Sequence, residues 1–209
     1  MASTKQRGFS LIELMITVTV SVILVAVVAV NLQPAIRMQH VNQAYNTTLM
    51  ALRRAHDQAA ADMRVYVVVF QPAVAGVNGG TITVTQDVIG ASPSFTATLP
   101  ADVTFNATLG IPTSPTTAPT TPDGFGSGAN AFDFDQALGG GSNTIYFYPD
   151  GSAQDNGPNG GNVNNGVVYL SMPGNLATCR AISLWGYTGR LRGWQLYQNG
   201  SGVWTWSQI

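Results

Sequence analysis

The sequence predicts an α+β protein in which one long N-terminal helix, membrane-spanning in its first half, packs on an antiparallel β-sheet globular domain. Three observations predict this class. An uncharged and mostly apolar run covers residues 14–36, and a stripe of apolar residues at helical spacing follows it. After Arg64 the helical spacing ends, and short runs rich in β-branched and aromatic residues alternate with turn residues.

The composition excludes several classes of protein. Charged residues make up 9% of the 209 positions, against about 25% in typical globular domains, and the net charge is −1. A generally basic nucleic-acid coat protein and an acidic disordered tail are therefore excluded. The single cysteine, Cys179, rules out an internal disulfide and a metal site built from several cysteines.

The N-terminus carries the strongest signal. Lys5 and Arg7 lie in a short polar leader that ends at Gly8, and the apolar run that follows would span roughly 35 Å as a helix, enough to cross a bilayer. The run exceeds the ~7–15 apolar residues of a secretory signal. The basic leader predicts that this end stays cytoplasmic and that the C-terminal bulk lies outside the cytoplasm.

Glu13 is the one acid inside the apolar run. A carboxylate there costs on the order of 2.5–3.5 kcal/mol on insertion scales, so a partner is expected. Cleavage after Gly8 would give Phe9 a new α-amine one helical turn from Glu13. The alternative is that Glu13 lies at the membrane interface and is solvated.

The stretch Arg7-Gly8-Phe9-Ser10-Leu11-Ile12-Glu13 resembles the cleavage and methylation motif of type IV prepilins and type II secretion pseudopilins. The resemblance implies a pilin fold, cleavage between Gly8 and Phe9, N-methylation of Phe9, and contact of Glu13 with the amine of a neighbouring subunit during assembly. It also implies three partners: other pilin or pseudopilin subunits, a prepilin peptidase that cleaves and methylates, and the inner membrane.

The expected organisation has four segments. Residues 1–8 are a leader peptide, 9–37 the transmembrane and assembly half of the helix, 38–63 its amphipathic half, and 64–209 the β-rich domain. The helix is expected from about Ser10 to Met63, because apolar positions from Met38 onward recur at a mean step close to 3.6. Loops are expected at 110–122, rich in Thr and Pro, and at 150–166, rich in Gly and Asn. Strands are expected at 65–70 (as a buried run), 81–85, 95–99, 102–107, 131–135, 143–148, 166–171, 180–185, 190–197 and 203–207.

A second resemblance lies toward the C-terminus. The stretch Ile145-Tyr146-Phe147-Tyr148-Pro149-Asp150-Gly151-Ser152 looks like the strand-and-turn signature of the GspH/FimT branch of pseudopilins. Residues 180–184 and the later Gly189-Arg190-Leu191-Arg192 also resemble that branch. The chain is thus expected to be a minor pilin or pseudopilin, a structural subunit that joins or primes a type IV pilus or type II secretion pseudopilus.

Catalysis and metal binding are not expected. The chain lacks a phosphate-binding Gly-x-x-x-x-Gly-Lys and a Gly-x-Ser-x-Gly nucleophile elbow, and His40 and His56 both lie on the assembly helix. No catalytic residue, cofactor, metal or small-molecule substrate is therefore predicted. The acidic residues that could attract calcium fit solvated strand and turn positions better, and they are Asp133, Asp135, Asp150 and Asp155.

The arginines of the β-rich domain support an alternative function. From Val65 to Ile209 the only basic residues are Arg180, Arg190 and Arg192, against seven aspartates. In an extended strand Arg190 and Arg192 project on one side and could straddle phosphates. In DNA-uptake pilins of the FimT kind the matching element binds DNA, so by resemblance Gly189, Arg190 and Arg192, with Arg180, are candidate DNA contacts for natural transformation. The alternative is that the arginines pair with aspartates or with neighbouring subunits.

The closely spaced aromatic residues near the C-terminus also allow either a DNA contact or a structural role. They could stack on bases, although a place in the core or at a subunit contact is the expected role. These residues are Trp194, Tyr197, Trp204 and Trp206.

The expected location follows from these inferences. The protein is expected in the inner membrane as a single-pass protein with a periplasmic C-terminal domain, and then in the filament, including its tip.

Overall fold

The structure is a computed structural model that describes residues 9–74, 79–134, 142–155 and 162–209; within the helix, the side chains of residues 29–31 are not described. The chain divides between Met38 and Gln39 into two compact units. Both hydrophobic clusters consist of residues from Val41 onward, so the unit Gln39–Ile209 contains its own core.

One helix, α1, runs from Leu11 to Asp62, within one residue of each predicted end. It ends where Met63 adopts a positive φ of 53° and the Arg64 N–H bonds the Ala59 carbonyl, a left-handed termination that closes the last turn. By length and composition α1 can cross a membrane. Apolar side chains of its N-terminal unit are exposed, among them Leu11, Val22 and Val25.

The helix within Gln39–Ile209 buries a face wider than the predicted stripe. Val41, Leu52, Ala55 and Ala59 are buried as predicted, whereas Met63 is 74% exposed because the helix has already ended. Small residues at Ala44, Thr48 and Ala51 are also fully buried. Their size lets the helix backbone lie close to the sheet, a role that a pattern of large apolar residues does not reveal.

The strands form two antiparallel sheets in the orders β3-β2-β1-β6-β7 and β11-β10-β9-β8-β4, and β5 also pairs with β8. The strands are β1 Tyr66–Gln71, β2 Thr81–Gln86, β3 Pro93–Thr98, β4 Thr104–Phe105, β5 Phe132–Asp133, β6 Thr144–Phe147, β7 Ala153–Gln154, β8 Gly166–Ser171, β9 Arg180–Trp185, β10 Arg190–Gln198 and β11 Trp204–Gln208. Each predicted strand is present, although β4 and β5 are shorter than expected. The predicted α+β class is therefore confirmed.

Strand β1 differs from the buried run that its sequence indicated. Tyr66, Val68 and Phe70 point into the main core with helix α1, while Val67 and Val69 are half-buried on the opposite face. A run of β-branched residues suits a strand buried on both faces, but this sheet buries one face more fully than the other.

The second sheet is buried on both faces in its middle. All six residues of β8 and five of six in β9 are buried. A smaller core lies on one face and includes Ile111, Tyr169, Cys179 and Leu196. Ile111 comes from the predicted Thr/Pro loop, so this segment is anchored to the sheet.

Candidate functional site

The N-terminal residues of the predicted processing site begin the described structure. Gly8 lies outside the described residues, and Phe9 is 84% exposed immediately before the helix. The Glu13 carboxylate accepts a hydrogen bond from the Ser10 N–H at 3.3 Å, and the Ser10 carbonyl accepts one from the Leu14 N–H. This is one half of a capping box, in which an acid in the first turn reaches back to the residue that begins the helix.

This bond gives Glu13 an intramolecular partner in addition to the two expected alternatives, a subunit amine and solvent. The signal was present, since Ser-x-x-Glu before an apolar run is a typical helix start. A carboxylate in the first turn also interacts favourably with the positive end of the helix dipole.

The two C-terminal stretches that carried the second resemblance lie against each other. Gly151 lies in the turn after β6, and Gly189, with a φ of 60°, immediately precedes β10. A Cβ at Gly189 would lie 2.5 Å from the Gly151 carbonyl oxygen and 2.4 Å from Cδ2 of His56, on helix α1. The His56 ring also packs on the Phe147 ring of β6 in a T-shaped arrangement, at 5.9 Å between ring centroids. The absence of a side chain at Gly189 thus lets its turn and the turn at Gly151 lie close to helix α1.

The turn itself is held by its aspartate. Asp150 Oδ1 accepts hydrogen bonds from the Ser152 hydroxyl at 2.7 Å and the Ser152 N–H at 2.9 Å. These bonds, the hydroxyl first, lower the pKa of Asp150 below its usual value. Asp150 is therefore a turn residue with local partners.

The three arginines among the four predicted DNA contacts have different environments. Arg180 is 4% exposed, and its guanidinium donates to the Cys179 carbonyl at 3.2 Å and to Asn42 Oδ1 on helix α1 at 3.5 Å. Burial lowers the pKa of Arg180. Arg190, at the start of β10, is exposed.

Arg192 is held by Asp123, which immediately follows the Thr/Pro loop. Its Nη1 lies 2.5 Å from Asp123 Oδ1, and its guanidinium lies over the Trp185 ring at 5.5 Å. Asp123 also accepts hydrogen bonds from the Ser183 hydroxyl and from Trp185 Nε1. The side chain of Asp123 is 5% exposed and that of Arg192 25%. We call Asp123 with these three donors the Asp123 cluster.

Pairing of the arginines with aspartates was the alternative expected from the sequence, and Arg192 follows it, although the sequence did not identify Asp123 as the partner. The one local signal of the cluster is the tripeptide Pro122-Asp123-Gly124, which repeats the Pro-Asp-Gly of the later turn. Here Asp123 has a positive φ of 54°, which aspartate tolerates better than most residues.

The remaining acidic candidates have local polar partners. Asp133 Oδ2 accepts bonds from the Ser127 N–H and hydroxyl, and Asp155 accepts bonds from the Asn162 N–H and the Asn164 side chain. Asp135 lies outside the described residues. Within the part of the chain that the structure describes, no group of three or more His, Cys, Asp or Glu side chains is arranged to hold a metal.

The C-terminal aromatics are divided between the core and the surface. Trp206 is 7% exposed in the smaller core, Trp194 and Trp204 pack against it, and Tyr197 is 44% exposed. Trp194 donates its indole N–H to the Ser183 hydroxyl at 2.9 Å.

Comparisons with known proteins place the N-terminus in a defined class. Residues 3–29 match the profile of the prokaryotic N-terminal methylation motif. No curated protein sequence matches the chain. Among solved structures, the crystal structure of the type IV minor pilin FimU from Pseudomonas aeruginosa (strain PAO1) is similar at a TM-score of 0.38 and 11% identity, covering 77% of this chain and 89% of that one. The chain therefore carries a prokaryotic N-terminal methylation motif before a long helix, with antiparallel sheets after it, which is a pilin-like α+β arrangement.

Proposed function

We propose that the chain is a minor pilin or pseudopilin, a structural subunit that joins or primes a type IV filament. The observation that carries the proposal is the methylation motif at the head of a helix whose apolar side chains stand exposed in its own unit. Exposed apolar surface of this extent requires a lipid bilayer or other subunits to cover it. Gln39–Ile209 has a complete core of its own and needs no such cover to fold.

The proposed sequence of events follows from the motif. A prepilin peptidase cleaves between Gly8 and Phe9 and methylates the new amine of Phe9. The subunit is then held in the inner membrane by α1, with its β-rich domain in the periplasm, and passes into the filament, where its domain is displayed, including at the tip. Glu13 meets the Phe9 amine of a neighbouring subunit. The proposed work is structural, without catalysis or a cofactor.

Two variants at Glu13 separate its assembly role from helix capping. Glu13→Gln keeps an acceptor for the Ser10 N–H but removes the charge, whereas Glu13→Ala removes both. If Glu13 pairs with an amine, both variants are cleaved and inserted into the membrane, and neither enters sheared filaments of the native bacterium. Filament incorporation by Glu13→Gln at the wild-type level would refute charge pairing and leave capping as the role.

Experiments in the native bacterium also distinguish a type IV pilus from a secretion pseudopilus. Deletion of the gene, followed by scoring of surface piliation and of secreted enzymes, assigns the subunit to a pilus or to a secretion pseudopilus. If the deletion strain keeps both normal piliation and normal enzyme secretion, the proposal is contradicted.

DNA binding is the second candidate function, and one observation favours it. Arg190 is exposed at the start of β10, three positions after Tyr187 of the preceding turn, which is 81% exposed. An exposed cation and an exposed aromatic ring on one short stretch suit a phosphate and a stacked base. Arg180 and Arg192 already have partners within the chain, so we assign them structural roles and rest the candidate on Arg190.

The test uses fluorescence anisotropy of Gln39–Ile209 with DNA across a salt series. Arg190→Gln is compared with Arg53→Gln, which removes the same charge from an exposed position on α1. Selective weakening of binding in Arg190→Gln, with a salt slope shallower by about 0.9 than that of the wild type, supports DNA binding. Equal behaviour of the two variants, or absence of binding by the wild type at low salt, would exclude a specific site at Arg190.

A further inference from the structure

Strand β11 is the last strand of the second sheet, and among the described residues it pairs with β10 alone. The Ile209 N–H donates to the Gly193 carbonyl at 3.0 Å, and the Asn199 N–H donates to the Val203 carbonyl at 2.9 Å. Bonded residues alternate along an antiparallel strand. Residues 203, 205, 207 and 209 therefore bond inward, and Trp204, Trp206 and Gln208 direct their backbone N–H and C=O groups to the open edge.

Strand β11 itself, within the described part of the chain, carries none of the residues or bulges that protect an edge against pairing. Natural sheets prevent their edge strands from pairing with other chains by placing charged residues, proline or bulges there. Residues 198–209 contain no charged residue and no proline. By contrast, the β3 edge of the first sheet begins with Pro93, and its register shifts between Val84 and Thr85.

Exposed apolar side chains border the same edge. Val203 is 43% exposed, Ile209 58%, and Tyr197, directly opposite Thr205, 44%. These side chains share one face of the sheet, because residues 203, 205, 207 and 209 alternate with the outward-bonding ones.

One antiparallel register both pairs the open backbone groups of β11 and covers the exposed apolar side chains. If two copies of β11 pair about a two-fold axis at Trp206, Trp206 lies opposite its symmetry mate and Trp204 lies opposite Gln208. All three outward-bonding residues then form hydrogen-bonded pairs, each exchanging both of its bonds. The same register places Val203 opposite Ile209 of the other copy, and Thr205 opposite Ser207. A register shifted by one residue along either strand would leave the apolar residues unmatched.

We propose that β11 is a self-pairing edge that joins two copies of this chain into a dimer with one continuous sheet across the contact. The paired segment is short, so the buried area falls below that of a permanent dimer and the association is weak. A two-fold contact closes on itself and cannot extend a filament. The dimer is therefore a contact additional to the filament contacts proposed above, and its test does not depend on them.

The first test is sedimentation velocity of Gln39–Ile209 over a rising concentration series. Gln208→Pro removes one outward N–H at an exposed edge position, where proline is tolerated, and Gln208→Ala removes the side chain but keeps that N–H. The wild type and Gln208→Ala are expected to dimerise, and Gln208→Pro to stay monomeric with an unchanged circular dichroism spectrum. Absence of a wild-type dimer at the highest concentration, or an equal dimer in Gln208→Pro, overturns the proposal.

A disulfide test reads the register directly and does not rely on proline. Thr205 and Ser207 of two copies form a non-hydrogen-bonded pair, with Cα atoms about 4.5 Å apart. Thr205→Cys mixed with Ser207→Cys is expected to cross-link on mild oxidation, and each variant alone to cross-link far less. The native Cys179 is 2% exposed and does not compete. Equal cross-linking of the mixture and of the separate variants overturns the register.

Discussion

The Asp123 cluster gives the sharpest stability prediction. Asp123→Ala removes the acceptor of Ser183 and Trp185 and the partner of Arg192. The buried Ser183 hydroxyl left without its acceptor costs about 1–3 kcal/mol, the exposed Trp185 N–H adds less, and breaking a buried ion pair costs about 3–5 kcal/mol. Alanine also tolerates the φ of 54° less well than aspartate. We take about 3–5 kcal/mol as the expected loss in the free energy of unfolding, because Arg192 keeps partial access to water.

Urea unfolding of Gln39–Ile209 measures this loss. Small domains have m values of about 1–3 kcal/mol per molar urea, so a loss of about 3 kcal/mol lowers the midpoint by about 1–3 M. Asp123→Asn keeps the size and the tolerance of positive φ and is expected to lose less, because it retains one oxygen acceptor.

Asp57→Ala is the matched control, since the Asp57 side chain is 78% exposed and its partner is the neighbouring His56. The control should change the free energy of unfolding by no more than about 0.5 kcal/mol. If Asp123→Ala behaves like Asp57→Ala, the cluster is not a stabilising contact and the structural role assigned to Arg192 is wrong.

Three further predictions concern other positions. Gly189→Ala should lower the free energy of unfolding in urea by about 2–4 kcal/mol, because a Cβ there meets His56 and the Gly151 carbonyl at a positive φ. Gly200→Ala, with open space around the added Cβ, should change that free energy little, and equal effects of the two variants would contradict the packing. Burial raises the pKa of the Cys179 thiol, so Ellman's reagent should react with it slowly in the folded protein and at once in guanidinium, and rapid reaction of the folded protein would show that the thiol is accessible. Because the Cys179 pKa is higher in the folded than in the unfolded state, the unfolded thiol ionises first as the pH rises above about 8.5, and the wild type should then lose stability relative to Cys179→Ala. Parallel profiles of unfolding free energy against pH for the two proteins would contradict this.

The sequence predicted the secondary structure well because its signals are local. The apolar run and the stripe set the length of α1, and β-branched runs bounded by turn residues marked the longer strands. Strand β7 was missed because Ala153–Gln154 is too short to show a period of two. The depth of burial of β1 was overestimated because both faces of that strand carry valines and aromatics.

The environments of the arginines could not be predicted, because they depend on contacts distant in sequence. Alternation correctly places Arg190 and Arg192 on one side of β10, yet Arg192 meets Asp123, 69 positions earlier. Likewise, Arg180 bonds Asn42, 138 positions earlier. Three arginines among aspartates suggested a phosphate site, whereas tertiary packing gives two of them intramolecular partners.

The central claim is that this chain is processed and methylated as a pilin subunit. Mass spectrometry of the mature protein, purified from membranes of the bacterium that encodes it, tests that claim most directly. We expect an N-terminal peptide that begins at Phe9 and carries one N-methyl group, and a catalytically inactive prepilin peptidase should leave the leader in place. A mature chain that still begins at Met1, in cells with an active peptidase, would contradict the account.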